Sequence, residues 1–357
     1  MTAPLIADEK ELSPSAPAPA GLYDLPVRKI GKLEEKLGPE TYRILRGIVR
    51  NPLSVIGVIL ITMFVLIAIF APVIAPPKNV SNPYMIPRDG FSPTPKEPGT
   101  AWRSNPPPLP FYWTALTGLD KWTHPFGTAS GQYDIFYGVV WGTRTALRVG
   151  IIIEFFCLML GIFVGSMSAY YGGKLDMILM RITEIFQAFP YFLAAMTLSA
   201  ILIPAIGKSL IPAIIALVSF GWMGYARLIR GDILSVRERE YVMAARVVGV
   251  KDNRILTKHI IPNAIFPTLV VASLDIGTIV VSFAVLSFLG IGTEVGYADW
   301  GQIISFARNW IPQLARYWYI VVFPGVALIL FVLGWNLVGD AMRDIMDPRM
   351  RGSGQGE

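Results

Sequence analysis

Two acids stand inside apolar runs, Glu154 and Asp275. A carboxylate at mid-bilayer depth costs up to about 3 kcal/mol, so each needs a partner or a wet cavity. Asp275, Thr278 and Ser282 recur at i, i+3 and i+7, which places them on one helix face. A carboxylate with two hydroxyls on one face can line a path through a membrane and meet an amine or another cation. The same face can equally serve a hydrogen bond to a neighbouring helix. Glu154 has Arg148 and Arg144 close in sequence, so an ion pair at the outer end of its helix is the expectation for it.

Other chemistry is missing. Ile206-Gly-Lys-Ser209 resembles the end of a phosphate-binding loop, but Leu202 stands where the motif needs glycine, and the stretch lies in a short turn. The stretch is therefore not a nucleotide-binding loop. There is no HExxH helix and no GxSxG elbow. Two histidines far apart in sequence, His124 and His259, and one cysteine, Cys157, argue against a metal site built on either type. Scattered serines and acids do not make an intramembrane enzyme.

The elements that carry these residues read as membrane spans. The chain has 357 residues, 53% hydrophobic and 16% charged, with mean hydropathy +0.52. Soluble domains carry about 25% charged residues. Six runs suit a span of about 20 apolar residues: 53–75, 145–171, 178–203, 210–228, 262–291 and 317–339. Placing the N-terminus in the cytosol leaves 21 of the 31 Lys and Arg on the cytoplasmic side. That asymmetry sets both termini inside. The net charge of +6 therefore reflects membrane topology, and nucleic acid is not implied. Pro190, Pro204, Pro212, Pro267 and Pro324 lie in or beside spans, where they read as kinks.

The N-terminal residues, rich in Ala, Pro, Ser and acids, lack the pattern of a signal peptide and read as a disordered tail. Residues 76–123 hold 11 prolines and seven aromatics, among them Trp102, Trp113 and Trp122. Proline density excludes a long helix. The segment reads as an external loop, extended or packed on its aromatics, that contacts a binding partner or covers the external mouth. The organisation expected is a tail over 1–41, a lead-in helix and first span over 42–75, and an external Pro/aromatic region over 76–140. A five-span core over 141–341, with a cytoplasmic loop at 235–262, and a tail over 342–357 complete it.

That loop contains EYVMAARVVGVKDNRILTKHIIPN, residues 240–263. Ser235-Val-Arg-Glu238 has the spacing of a capping box, so a short helix is expected over 237–248, stopping at Gly249. Asp252 is expected to cap a second helix over 253–261, ending before Pro262. Ala244 and Ala245 offer a small-residue surface to which Val242, Val247 and Val248 add apolar area. On spacing alone this suits a basic loop lying on anionic lipid as well as a docking element.

The loop also resembles the signature of permease subunits of ATP-binding-cassette importers: AARVVG, nine residues, then HIIP. Met243 stands where the pattern has Glu, and His259 where it has Ile. The resemblance extends to Arg46-Gly-Ile-Val-Arg-Asn-Pro-Leu-Ser-Val-Ile-Gly57, to HPFGT (124–128) with Gly142-Thr-Arg-Thr-Ala-Leu147, and to YYGGKLD (170–176). LSFLGIG (286–292) with Trp300-Gly301, FPG (323–325), NLVGD (336–340) and MRDIMDPRMR (342–351) continue it in order. Within that family the chain resembles the C-type subunit of the dipeptide, oligopeptide and nickel group. It departs from that group in GTASGQYD before the second span and in Phe283, where a Glu is frequent.

The resemblance implies an all-α integral membrane protein with six transmembrane helices, the type I importer permease fold and both termini cytoplasmic. It implies a multi-pass subunit of the cell membrane that is not an enzyme and binds no cofactor itself, ATP and Mg belonging to ATPase subunits. Its partners would be a homologous permease, two ATPases, an extracytoplasmic solute-binding protein and lipid. Tyr241, Ala244, Ala245, Arg246, Gly249, His259 and Pro262 match the coupling loop. Peptide is the expected solute, with nickel, opines, glutathione and oligosaccharides as alternatives; a passive channel or scaffold is the reading from another class.

Overall fold

The computed structural model describes residue 49 and residues 51–346. The expected tails and most of the lead-in helix lie outside the described residues. Within them the regular structure is helical, with only isolated antiparallel bridges.

The first span, α1, is Pro52–Ile74. Asn51 caps it by accepting from the Leu53 amide at 3.0 Å, and Pro52 takes a first-turn position where its missing N–H costs nothing. After a small helix, α2 (Trp113–Thr117), comes α3, Ile135–Tyr171. Asp134 caps α3 by accepting from Tyr137 N at 2.9 Å. The helix has 37 residues, about 55 Å at 1.5 Å each, which exceeds a bilayer core of about 30 Å. Its first ten residues, which the apolar run 145–171 does not include, pack against the Pro/aromatic region through Ile135, Tyr137, Val140 and Trp141.

The expected third span is broken. Helices α4 (Gly173–Gln187) and α5 (Tyr191–Ile206) meet at 83°. Pro190 removes a backbone donor and pushes Phe189 away from helical geometry, which ends α4 and restarts the chain in a new direction. The fourth span is longer than 210–228: α6 (Leu210–Gly221) and α7 (Met223–Val236) form one candidate span interrupted at Trp222. Ser209 caps α6 through the Ile211 amide, so the Gly-Lys-Ser stretch is a helix–helix turn.

A loop follows, with α8 (Glu240–Val247), α9 (Asp252–Ile255), a π-helical turn (Leu256–Ile260) and α10 (Ile261–Ala264). The fifth span is α11, Phe266–Phe288. Then come α12 (Trp300–Ser305), a 3-10 segment (Phe306–Gln313), α13 (Leu314–Tyr317) and the last span, α14 (Tyr319–Met346). Among the described residues five helices are long and apolar enough to cross a membrane, or six if the bent α4–α5 pair counts as one span.

Residues 76–134 are ordered without a continuous ladder. Bridges tie Met85 to Tyr297, Arg88 to Tyr133 and Ala101 to Thr123. The rest is held by a polar hub under aromatics. Asp89 accepts from Ser104 N at 2.6 Å and Arg103 N at 3.0 Å, and pairs with Lys96. His124, fully buried, lies 2.5 Å from Asp134 and 3.2 Å from Asp89, with Trp102 tilted over its ring at 4.4 Å. Burial pushes the Asp89 carboxyl up, but Lys96, the two amides and His124 outweigh it and hold it down to about 2. Trp113 and Trp122 close the cluster, their rings 4.3 Å apart. Of the two arrangements expected, extended or packed on its aromatics, the segment takes the packed one, with His124 at its polar centre.

Candidate functional site

Two places gather the candidate residues. The first is a cavity of about 450 Å³ walled by α3, α4, α6, α7 and α11 and by the break between α4 and α5. Asp275, Thr278 and Ser282 all line it, together on one face of α11 as their spacing predicts. Tyr225 of α7 donates to Asp275 Oδ2 at 2.6 Å, while Ser282 returns its hydroxyl to Thr278 O at 3.0 Å.

Glu154 corrects its expectation. It is buried, with both carboxylate oxygens accepting no hydrogen bond among the described residues. It forms no pair with Arg148 or Arg144. Arg148 donates to the Tyr84 hydroxyl at 2.7 Å, and Arg144 lies 5.1 Å over Trp141. Six residues of helix rotate a side chain by about 240°, so Arg148 faces away from Glu154. Glu154 instead neighbours Tyr225, which stands against both acids.

What holds Tyr225 there is a close helix crossing that the sequence reading did not single out. Gly161 and Gly165 of α3 face α7. A Cβ on Gly161 would sit 2.4 Å from Tyr225 Cβ, and one on Gly165 would sit 2.3 Å from Ala226 O. Small residues four apart let membrane helices approach at backbone distance. The spacing Gly161-xxx-Gly165 in an apolar run was the available signal.

The second place is the α8 loop. Its tip exposes Val247 and Val248, at 88% and 81%. Tyr241, Ala244, Arg246 and Gly249 are exposed around it, Ala245 is half-buried, and Val242 is buried underneath. Gly249 has φ +79°, and Val250 N donates to Ala245 O at 3.1 Å, closing α8 with the left-handed stop expected.

Other details of the loop differ from expectation. Ser235 lies inside α7, and α8 starts after Arg239 with no side-chain cap, so the capping box does not form. Asp252 does not cap α9; it accepts from the Tyr170 hydroxyl at 2.6 Å, and Arg246 lies 5.6 Å over the Tyr170 ring. The helical path also continues through Pro262, which sits in the first turn of α10. Because Pro262 has no N–H, the carbonyl four residues earlier loses its donor, and the backbone widens: Ile261 N reaches back five residues to Leu256 O. His259 lies half-buried in that widened turn.

The loop is fastened to the turn between α3 and α4. Arg237 donates to Ala169 O at 2.7 Å, beside the Tyr170–Asp252 bond. Ser168 bonds Asp176, whose carboxylate takes a two-pronged pair from Arg230 of α7 at 2.7 and 2.6 Å. These bonds tie the loop to α3, α4 and α7, three of the helices that wall the cavity.

Comparison with known proteins shows the family. Residues 158–352 match the model of the binding-protein-dependent transport system inner membrane component, and residues 41–89 match the N-terminal TM domain of oligopeptide transport permease C. The chain is 36% identical to the dipeptide transport system permease protein DppC of Alkalihalophilus pseudofirmus over 85% of its own length and 88% of that protein's. It is 33% identical to the oligopeptide transport system permease protein OppC of Bacillus subtilis, over 84% and 87%. With OppC of Haemophilus influenzae the identity is 36%, over 64% and 71%. The chain belongs to the family of inner-membrane permease components of binding-protein-dependent transport systems.

Proposed function

We propose that this chain forms one half of the translocation path of an ATP-driven peptide importer. The observation that carries the reading is the α8 tip: two nearly fully exposed valines on a loop fastened to the cavity helices. Solvent-exposed apolar tips of this kind favour a protein partner. Tyr241, Ala244, Ala245, Arg246, Gly249, His259 and Pro262 form the surface that docks on an ATPase subunit, with α8 and both termini in the cytosol. Two ATPases bind ATP and Mg; a homologous permease completes the path; an extracytoplasmic binding protein delivers solute to the side that carries residues 76–134. Asp275, Thr278, Ser282 and, behind them, Glu154 belong to the path. Names of the relatives favour di- and oligopeptides as solute.

The test is uptake of labelled Ala-Ala by cells with and without this chain. Uptake that needs the chain, ATP and the binding protein supports the reading. Uptake unaffected by deletion of the chain contradicts it.

A further inference from the structure

We propose that the groove between α4 and α7 is a two-ended ligand site, acidic at Asp275 and basic at Arg227, that takes a short zwitterionic chain of two or three residues. The inference deepens, and rests on, the importer reading above. Gln187 of α4 and Gly224 of α7 line the Asp275 cavity. Met180 and Glu184 of α4, with Arg227 and Arg230 of α7, line a second cavity of about 370 Å³. Residues 180, 184 and 187 are spaced by four and three on α4, as 220, 224 and 227 are along α6 and α7. Each set is a single stripe, so the two cavities are successive stretches of one groove.

The charges in that groove are not equivalent. Arg230 is held by Asp176, and Glu184 pairs with Arg181 at 2.9 Å. Arg227 is exposed and makes no hydrogen bond or ion pair among the described residues. It is the uncommitted charge of the second cavity, suited to a carboxylate. At the other end, Tyr225 occupies Asp275 Oδ2, and no hydrogen bond reaches Oδ1 among the described residues. Glu154, 5% exposed, lies behind Tyr225. That end suits an ammonium.

Arg227 lies one helical turn, about 5 Å, beyond Gly224. Two or three extended residues reach at most about 7–11 Å, longer than the one turn of α7 that separates the linings of the two cavities. Between them the wall is Met180, Met223 and Phe220, adaptable apolar surface that accepts varied side chains.

The test uses the complete importer in proteoliposomes, with its binding protein and ATPases, and three labelled probes: Ala-Ala, N-acetyl-Ala-Ala and Ala-Ala-amide. The binding protein is common to every variant, so a change in the ratio of initial rates reads the permease. Asp275→Asn should cut the preference for Ala-Ala over the acetylated probe about tenfold and leave the amide ratio alone; Arg227→Gln should do the converse. Asp275→Glu and Arg227→Lys keep the charge and should keep both preferences. Unchanged ratios, or both ratios moving together in each variant, overturn the two-ended site and leave the importer reading standing. Failure of the wild type to take up any of the three overturns the peptide reading and this site with it.

Discussion

Val248→Asp is expected to lower ATP-driven uptake by at least about 100-fold while leaving the chain folded in the membrane. Val247 and Val248 are almost wholly exposed, so replacing either changes few intramolecular contacts. Substitutions at such positions usually shift stability by less than about 0.5 kcal/mol. The cost falls on the docked state, where an unpaired carboxylate would be buried against apolar surface. Central interface residues cost 2 kcal/mol or more when altered, and about 2.7 kcal/mol is 100-fold. The backbone between α7 and α9 is unaffected, since α8 is closed by Gly249 and anchored through Val242 and the Tyr170–Asp252 bond. Initial uptake rate and gel-filtration profile, measured together, check this. Uptake above a third of wild type would mean that the tip does not dock.

Gly165→Val should act in the opposite place, on the fold. Its Cβ would meet Ala226 O at 2.3 Å and Ile229 Cγ2 at 2.4 Å. One of these is backbone, so no rotamer change relieves the clash and α3 and α7 must separate. Overpacking typically costs 1–3 kcal/mol, and contact with backbone puts this case near the top, about 3 kcal/mol. Separation also draws Tyr225 away from Glu154 and Asp275, so activity falls even in molecules that remain folded. The apparent Tm in detergent should drop by more than about 5 °C. Gly231→Ala, on the same helix α7, meets nothing within 4 Å and serves as the control, with little change expected. Equal Tm values for the two variants would show that the α3–α7 crossing does not bear the load assigned to it.

Much of this architecture was legible in the sequence for a physical reason: apolar runs long enough to cross a bilayer have few alternatives. Five spans stand near their expected places. The exception is α4–α5, a bent pair where one straight span was expected, because hydropathy ignores proline placement and Pro190 breaks a run whose composition remains that of a span. Asp275, Thr278 and Ser282 were found by helix periodicity, which holds wherever the helix is straight. Glu154 was misread because sequence proximity to Arg148 is not proximity in space: six residues turn the side chain to the far face. Tyr225 was invisible since an aromatic in an apolar run carries no mark of its partner, whereas the glycines that seat it did carry one. Pro262 was read as a stop, yet it widened the helix to a π turn and let it continue. The polar hub of Asp89, His124 and Asp134 joins residues up to 45 positions apart, beyond the reach of any local pattern.

The central claim is that residues 240–263 dock an ATPase. The most direct measurement is co-purification from native membranes in mild detergent, with this chain tagged and partners identified by mass spectrometry, for wild type and Gly249→Arg. Gly249 has φ +79° and open space around its Cα, so arginine there costs roughly 1–2 kcal/mol of local strain and otherwise projects from the tip. The prediction is that an ATPase and a second permease accompany the wild type, and that Gly249→Arg keeps the permease and loses the ATPase. Absence of an ATPase from the wild type, or its undiminished recovery with Gly249→Arg, would contradict the docking role and leave the loop as a membrane-surface element.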